Sequence, residues 1–283
     1  MQQFEYSDIS RMLTPILARH GGDASRLLQV LLEVQDACHT ISPEAIDRIA
    51  AHFDVPRVNV EGVAGFYSFL STQPVGEYRM LFSSNITDQM LGKDDLMQYL
   101  CNKLWVEPGK VSEDGLVSVD STSCTGMCDQ GSAALINGWP LTSLDQNRLD
   151  LICELIRARR PVAAWPTMLF EVADNIRRSD VLLGEPLLPG AAIRAVLARG
   201  AKETLAEIDK SNLRGRGGAG FKTASKWSFC HAAIVEEEGG MICDVGGHPE
   251  RYIVCNADEG EPGTFKDRVL LNSYADLVFE GMT

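Results

Sequence analysis

The stretch Leu213-Arg-Gly-Arg-Gly-Gly-Ala-Gly-Phe-Lys-Thr-Ala-Ser225 contains four glycines within six positions. Glycine has no Cβ, so the backbone N–H groups of such a loop can adopt positive φ and converge on a phosphate. Arg214, Arg216 and Lys226 add positive charge at the same place. The stretch therefore predicts a phosphate cradle whose members, besides the charged residues, are Gly215, Gly217, Gly218, Ala219 and Gly220.

A second stretch follows it, Cys255-Asn-Ala-Asp-Glu-Gly-Glu-Pro-Gly-Thr-Phe-Lys-Asp267. It concentrates hydrogen-bond acceptors on one short loop, namely Asn256, Asp258, Glu259 and Glu261. Burying so many acceptors is unfavourable unless donors lie opposite them, and the hydroxyl and amide groups of a bound nucleotide would provide donors. We predict that the apolar run Tyr252–Cys255 is a buried strand, since loops at the carboxyl ends of strands bind ligands in open α/β sheets.

Both stretches have plainer interpretations. Gly215-x-Gly217-x-x-Gly220 matches the dinucleotide fingerprint, but that fingerprint needs a strand before it, and here the pattern predicts a helix. The glycines could otherwise form a flexible linker, and the acidic loop a solvated turn. We favour a nest of N–H groups that leads into a helix N-terminus, where anions are stabilised.

Composition excludes several classes of protein. The chain has 283 residues, a net charge of −13 and 45% hydrophobic residues, which indicates a globular protein large enough for two domains. The negative charge argues against nucleic acid as a partner. No apolar run reaches the ~18 residues that a membrane span requires. The start of the chain lacks the pattern of a signal peptide, which predicts a cytoplasmic location.

The order of patterns along the chain predicts its domains. Residues 1–75 read as a helical bundle, with a helix start at Ser42-Pro43-Glu44. Residues 76–160 follow a β-α-β-β-α order, typical of a thioredoxin-like module with a hairpin at Asn137-Gly138. Proline-rich residues 161–190 predict a linker, and residues 191–283 a second α/β domain with two helices before the glycine-rich loop.

These residues resemble a known family. Leu213–Phe221, Lys226-Trp-Ser-Phe229 and Asn256–Arg268 are similar to the NADH-oxidising flavoprotein subunit of respiratory complex I. The resemblance implies the start of a flavoprotein-type α/β FMN-binding domain. Contacts with FMN are implied for Arg216, Gly217, Gly218, Lys226, Asn256, Asp258 and Glu259, and contacts with NAD(H) for Phe221, Phe229 and Glu261.

The amino-terminal half resembles the partner subunit of that dehydrogenase, through Gly62-Val-Ala-Gly-Phe-Tyr67 and Ser123-Cys-Thr-Gly-Met-Cys-Asp-Gln130. In that family a thioredoxin-like module holds a 2Fe-2S cluster through two cysteine pairs. Here Ser83 and Asp88 stand at the positions of the first pair, so Cys124 and Cys128 supply only half of the four thiolates that a cluster needs.

Three interpretations of Cys124 and Cys128 compete: a vestigial pair of thiols, a cluster completed by oxygen ligands, and a redox dithiol. We favour the vestigial pair, because oxygen is a poor substitute for sulfur at these irons. Three further cysteines lie in predicted helices and are interpreted as core residues, Cys38, Cys101 and Cys153.

Both modules in one chain, with a degenerate first cysteine pair, resemble the diaphorase subunit of NAD-reducing nickel-iron hydrogenases. The resemblance implies hydride transfer between NAD(H) and FMN, an iron-sulfur electron-transfer subunit and hydrogenase subunits as partners, and no membrane span. The alternatives are a subunit of NAD-dependent formate dehydrogenase or of complex I, and a non-redox docking module. The family's 4Fe-4S motif is expected only in a carboxyl-terminal part beyond Thr283, so the chain is expected to be incomplete.

Overall fold

A computed structural model describes residues 6–177, 188–232 and 252–283. The described chain divides into two compact units. Of the described residues, the first unit contains 6–173 and 259–265, and the second contains 174–177, 188–232, 252–258 and 266–283.

Four helices form the amino-terminal bundle: α1 (Tyr6–His20), α2 (Leu27–Cys38), α3 (Pro43–Phe53) and α4 (Arg57–Phe66). The Ser42 hydroxyl accepts a hydrogen bond from the Ala45 N–H, which caps α3 as the sequence predicted. The apolar faces meet in one core, which includes fully buried Leu13, Leu31 and Ile49. Because each helix buries only one stripe, the four together make a closed core.

A four-stranded sheet follows, made of β1 (Tyr78–Ser83), β2 (Val117–Thr122), β3 (Ala134–Ile136) and β4 (Trp139–Leu141) in the order β2-β1-β3-β4. β1 and β2 are parallel, while β3 is antiparallel to both β1 and β4. Asn137 and Gly138 both have positive φ, at 47° and 83°, as the tight hairpin between β3 and β4 requires.

Three helices pack with this sheet: α5 (Ile86–Met90), α6 (Lys93–Leu104) and α7 (Gln146–Arg157). The predicted β-α-β-β-α order has one helix after the first strand, whereas the structure has two, α5 and α6. Gly92 has φ +80°, a left-handed conformation that ends α5 before α6 begins. The order along the chain is therefore β-α-α-β-β-β-α, with one strand and one helix more than the predicted β-α-β-β-α order. The predicted mixed α/β module is confirmed.

The segment after α7 contains two short 3-10 turns, Val162–Ala164 and Thr167–Leu169. Val162, Trp165 and Leu169 are buried in the core of the sheet module. The start of the segment predicted as a linker is therefore packed against the sheet module. The predicted domain bounds stay predictions.

The second unit contains α8 (Ala191–Arg199), α9 (Ala201–Lys210), α10 (Thr223–Ala232), α11 (Lys266–Ser273) and α12 (Ala275–Met282). The Glu280 carboxylate on α12 accepts backbone hydrogen bonds from Gly190 and Ala192 at the start of α8. An anion at a helix N-terminus satisfies amides that otherwise have no partner in the helix.

The predicted strand Tyr252–Cys255 is wrong. These residues have no regular structure, and the side chains of Tyr252 and Val254 are 73% and 81% exposed. A strand exists only when its backbone pairs with a neighbour, and no strand pairs with this run within the described residues. Separately, no helix in the described ranges has both the length and the apolar character needed to cross a bilayer.

Candidate functional site

The glycine-rich loop is closed at its base by backbone hydrogen bonds. The Gly215 N–H donates to the Phe221 carbonyl at 2.9 Å, and the Thr223 N–H donates to the Leu213 carbonyl at 3.0 Å. The Arg214 guanidinium also donates to the Gly220 carbonyl at 3.0 Å. The loop follows helix α9 and leads directly into α10, as the sequence predicted.

Within this loop the predicted cradle residues are open to solvent. Gly217 and Gly218 have no heavy atom within 4 Å of where a Cβ would lie, and Gly218 and Gly220 have φ of +115° and +60°. The loop is exposed along Gly215, Arg216, Gly217, Gly218 and Ala219, and Gly220 is half-buried. A loop with free space at its glycines and a helix N-terminus beside it fits a phosphate group.

Two aromatic residues predicted to contact nicotinamide lie together. The ring centroids of Phe221 and Phe229 are 6.3 Å apart with the planes tilted by 48°. Both side chains are more than half exposed, at 52% and 66%. Lys226, on the same helix as Phe229, is exposed as well. An exposed aromatic pair beside a cationic side chain is suited to stacking against a planar nucleotide ring.

The acidic loop carries its predicted residues on irregular backbone. The Asn256 Oδ1 accepts a hydrogen bond from the Asp258 N–H at 3.1 Å, so the side chain stabilises a local turn. Asn256, Asp258 and Glu261 are exposed, and Glu259 is half-buried. Asn256 and Asp258 fall in the second unit, while Glu259 and Glu261 fall in the first.

The cysteine site in the first unit is compact. Cys124 Sγ lies 3.2 Å from Cys128 Sγ, and Ser83 and Asp88 are fully buried. The Thr125 N–H points toward the Ser83 hydroxyl at 3.4 Å, and the Asp88 carboxylate accepts a hydrogen bond from the Ala133 N–H at 2.9 Å. The structure therefore brings together all four positions that hold the cluster in the resembling family.

Asn85 occupies the space among these four side chains. Its Nδ2 lies 3.1 Å from Ser83 Oγ, 2.6 Å from Asp88 Oδ2, 3.2 Å from Cys128 Sγ and 3.6 Å from Cys124 Sγ. The Asn85 Oδ1 accepts a hydrogen bond from the Asp88 N–H at 2.9 Å and caps α5. One amide thus fills the centre of the site and satisfies its buried acceptors.

The two thiols have opposite pKa shifts. Burial works to raise the pKa of Cys124, but hydrogen bonds from the Gly263 and Gly126 N–H groups, and from Cys128 and Asn85, leave that pKa below its ordinary value. Burial, together with the neighbouring Cys124 sulfur, raises the pKa of Cys128 to about 11. The pair therefore favours one thiolate, on Cys124, hydrogen-bonded by one neutral thiol, on Cys128.

These observations test whether a 2Fe-2S cluster fits. Such a cluster needs four soft ligands, and the site offers two cysteine sulfurs, a hydroxyl and a carboxylate. Its centre is filled by the Asn85 amide. No group of three or more metal-binding side chains is found in the part of the chain that the structure describes. The residues present do not fit the cluster.

Sequence reasoning missed Asn85 and Gly263. Asn85 stands between the two positions where the first cysteine pair was expected, so its place in the sequence was a usable signal. Gly263 lies in the loop interpreted as a ligand-binding segment, and its contact with the cysteines is long-range. Nothing in the local pattern indicates that contact.

Comparison with known proteins identifies both parts of the chain. Residues 13–157 match the family model described as "Thioredoxin-like [2Fe-2S] ferredoxin", and residues 208–283 match "Nuo51 FMN-binding domain". The predicted fold class, a thioredoxin-like module followed by the start of an FMN-binding domain, is confirmed.

Individual relatives cover different shares of the chain. The chain is 30% identical to "NAD-reducing hydrogenase HoxS subunit alpha" of Cupriavidus necator, over 95% of its own length and 45% of that protein's. It is 30% identical to "NADH-quinone oxidoreductase subunit 2" of Thermus thermophilus, over 54% of its own length and 86% of that protein's.

A crystal structure of an NAD+-reducing [NiFe]-hydrogenase in the air-oxidized state matches with a TM-score of 0.73 and 36% identity, over 90% of this chain and 42% of that one. The chain thus spans less than half the length of the hydrogenase chains that it matches.

Proposed function

The chain belongs to the thioredoxin-like [2Fe-2S] ferredoxin family, and from that premise we propose that it is part of the NADH-oxidising module of a multisubunit oxidoreductase. In this proposal the module moves hydride between NAD(H) and FMN and passes single electrons to iron-sulfur clusters of partner subunits. The observation that carries it is the open glycine-rich loop at the start of α10, with a match to an FMN-binding domain over the same residues.

The FMN phosphate would be held by the N–H groups of Gly217 and Gly218 and by the first turn of α10, where the helix dipole favours an anion. Arg216 and Lys226 would add positive charge there. The other proposed cradle members are Gly215, Ala219 and Gly220. Asn256, Asp258 and Glu259 would accept hydrogen bonds from the polar groups of the flavin.

FMN, when bound, accepts a hydride from nicotinamide and releases its electrons singly. The residues of this chain would orient the reactants, since hydride transfer between these two rings needs no protein acid or base at the reacting carbon. Phe221 and Phe229 would pack against the nicotinamide nucleotide. Glu261 would accept hydrogen bonds from its hydroxyl groups.

An NAD-reducing hydrogenase is the assembly that we propose, with an iron-sulfur subunit and hydrogenase subunits as partners. Support comes from the likeness to the hydrogenase alpha subunit, which extends over both modules in one chain. NAD-dependent formate dehydrogenase and complex I are the alternative assemblies. A cytoplasmic location agrees with the seven described cysteines, all of which are free thiols.

For the amino-terminal half we propose that no 2Fe-2S cluster is bound and that the module serves docking. The Asn85 amide at the centre of the site favours the absence of a cluster. The content of iron in the chain expressed without partners tests it. We expect no stoichiometric iron, and about two irons per chain, the content of one such cluster, would contradict the proposal.

A visible spectrum of the complex purified natively through this chain tests the flavin role. We expect about one FMN per chain, released on denaturation, with a flavin absorption that NADH bleaches anaerobically. An intact complex without flavin would contradict the proposal and leave docking as the role of the whole chain.

A further inference from the structure

We propose that Cys124 and Cys128 form a reversible disulfide by exchange with small-molecule disulfides such as oxidised glutathione, in the site that the family uses for its cluster. The inference rests on the proposal that no cluster is bound there. It concerns the cysteines themselves, so it does not depend on whether FMN binds.

The distance between the sulfurs supports bond formation. They lie 3.2 Å apart in the reduced chain, and a disulfide bond is about 2.05 Å long. Bond formation therefore shortens the separation of the two sulfurs by about 1.2 Å. The described cysteines Cys38, Cys101 and Cys153, in contrast, are buried to 4% exposure or less.

The surroundings assign different roles to the two sulfurs. Cys124 is half-buried and accepts hydrogen bonds from the Gly126 N–H at 3.4 Å and the Asn85 amide at 3.6 Å, so its thiolate is both stabilised and accessible. Cys128 is buried, with 9% exposure. A thiolate that a reagent can reach attacks a disulfide, whereas a buried thiol is protected until its neighbour has reacted.

The exchange takes place in two steps. The Cys124 thiolate attacks one sulfur of the small disulfide, the old S–S bond breaks, and one small thiolate leaves. Cys128 then loses its proton to solvent and attacks Cys124 Sγ, which releases the second small thiolate and forms the Cys124–Cys128 bond. The pair loses two electrons and the small disulfide gains two, which yields two small thiols.

Oxidation also changes a contact to the acidic loop. The Gly263 N–H acts on the sulfurs of both cysteines within the first unit and works to lower the pKa of each. A disulfide sulfur carries no charge and is a weaker acceptor than a thiolate. The backbone of residues 259–265 should therefore exchange its amide hydrogens faster when the disulfide forms.

Peptide mass after equilibration of the full chain with oxidised glutathione tests the proposal. Trypsin releases Val111–Arg148, in which Cys124 and Cys128 are the cysteines present. We expect this peptide to lose two hydrogens and to resist alkylation, and dithiothreitol to restore both thiols. Two freely alkylated thiols after oxidation of the folded chain would overturn the proposal, and so would a bound cluster that protects both.

Two variants separate the roles of the sulfurs. With Cys128→Ser, Cys124 should accumulate as a mixed disulfide with glutathione, because the second step is blocked. With Cys124→Ser, Cys128 should stay unmodified. Equal modification of both variants would refute the assignment of Cys124 as the attacking thiol.

Native alkylation of the unmutated chain gives the same test without any substitution. Iodoacetamide should modify Cys124 at least about tenfold faster than Cys128, since accessibility and thiolate character both favour Cys124. Equal rates would contradict the assignment even if a variant failed to fold.

Discussion

Gly217 leaves open space beside the loop because glycine has no side chain. A Cβ at this position meets no protein atom within 4 Å, so the space it would fill is open. In the proposed function that space receives the FMN phosphate.

Gly217→Val should therefore leave the fold intact and prevent the phosphate from approaching. Losing hydrogen bonds to a charged group costs about 3 kcal/mol, or about a 100-fold weaker affinity for FMN. Fluorescence titration of the reconstituted complex measures it. Gly22→Val is the matched control, because Gly22 is exposed and also has open space at its Cβ. Unchanged FMN affinity in Gly217→Val would refute the cradle.

The cluster site differs from that of a 2Fe-2S ferredoxin by few residues. Ser83→Cys and Asp88→Cys restore four thiolates, and Asn85→Ala removes the amide that fills the centre. We expect the triple variant to gain about two irons per chain after anaerobic reconstitution, with the absorption of a 2Fe-2S cluster. Adding Cys124→Ser to the triple variant is the control and should abolish the gain. A triple variant that folds and still binds no iron would show that the fold itself excludes the cluster.

Among the secondary-structure elements, strand β2 packs closely against Gly76, which lies just before β1. A Cβ on Gly76 would lie 2.4 Å from the Val117 carbonyl carbon in β2. The Gly76 N–H also donates to the Ser118 hydroxyl at 3.0 Å. Backbone therefore packs directly on backbone where the chain enters β1.

Gly76→Ala should destabilise the chain by about 1–3 kcal/mol, because the strands must move apart to accept the methyl group. Gly62→Ala is the matched control: Gly62 lies within α4 with open space around it, so alanine there should be neutral or stabilising by up to about 1 kcal/mol. Urea unfolding of both variants compares the costs. Equal effects would contradict the close approach of Gly76 to β2.

Helix α7 carries a thiol that links stability to pH. Burial raises the pKa of Cys153 to about 11 from an ordinary value near 9. The unfolded chain loses this proton first as the pH rises, so the unfolding free energy falls between about pH 9 and 11.

Cys153→Ala should weaken that pH dependence. At pH 8 the unfolding free energy of the variant should be lower than that of the unmutated chain by the cost of the cavity. At pH 10.5 the unmutated chain has lost the contribution of the buried thiol, so this difference in unfolding free energy should be smaller by about 2 kcal/mol. Urea unfolding at both pH values measures the difference. Ile156→Val creates a cavity in the same helix without removing a thiol, and it should leave the pH dependence unchanged. A constant difference for Cys153→Ala would be inconsistent with the raised pKa.

Elements with strong local signals were predictable. The Ser42-Pro43 cap, the Asn137-Gly138 hairpin and the helices around the glycine-rich loop depend on neighbouring residues, and the structure confirms them. The run Tyr252–Cys255 has an apolar pattern, but a strand also needs a partner, and partners are not visible in a local pattern. The break at Gly92 had a local signal, since glycine tolerates the left-handed conformation found there.

For the whole molecule, the proposed phosphate contacts in the glycine-rich loop and α10 predict a local response to ligand. FMN should stabilise the second unit through the loop and α10 by about 2.7 kcal/mol at 100 times its dissociation constant. Hydrogen exchange should therefore slow by up to about 100-fold in residues 213–230 and stay unchanged in α2 of the first unit. Uniform slowing across both units would contradict this localisation.

The sequence indicates candidate site residues but not their contacts. The glycine-rich loop and the acidic residues were recognisable because their chemistry is concentrated in short stretches. The role of Asn85 depends on β1, α5 and the loop after β2 meeting at one point, and that of Gly263 on a contact far along the chain. Such contacts arise from the tertiary fold.

The hairpin between β3 and β4 also affects the chemical stability of the protein during storage. Asparagine before glycine is prone to deamidation, because the next backbone nitrogen can attack the side-chain amide. Here the Asn137 Oδ1 accepts a hydrogen bond from the Arg79 N–H at 2.7 Å, and its Nδ2 donates to the Glu77 carbonyl at 2.9 Å. Both ends of the amide are held by backbone groups of β1 and the residue before it, so the sheet protects this bond. The amount of isoaspartate at Asn137 in a stored sample would therefore measure how often these two hydrogen bonds break.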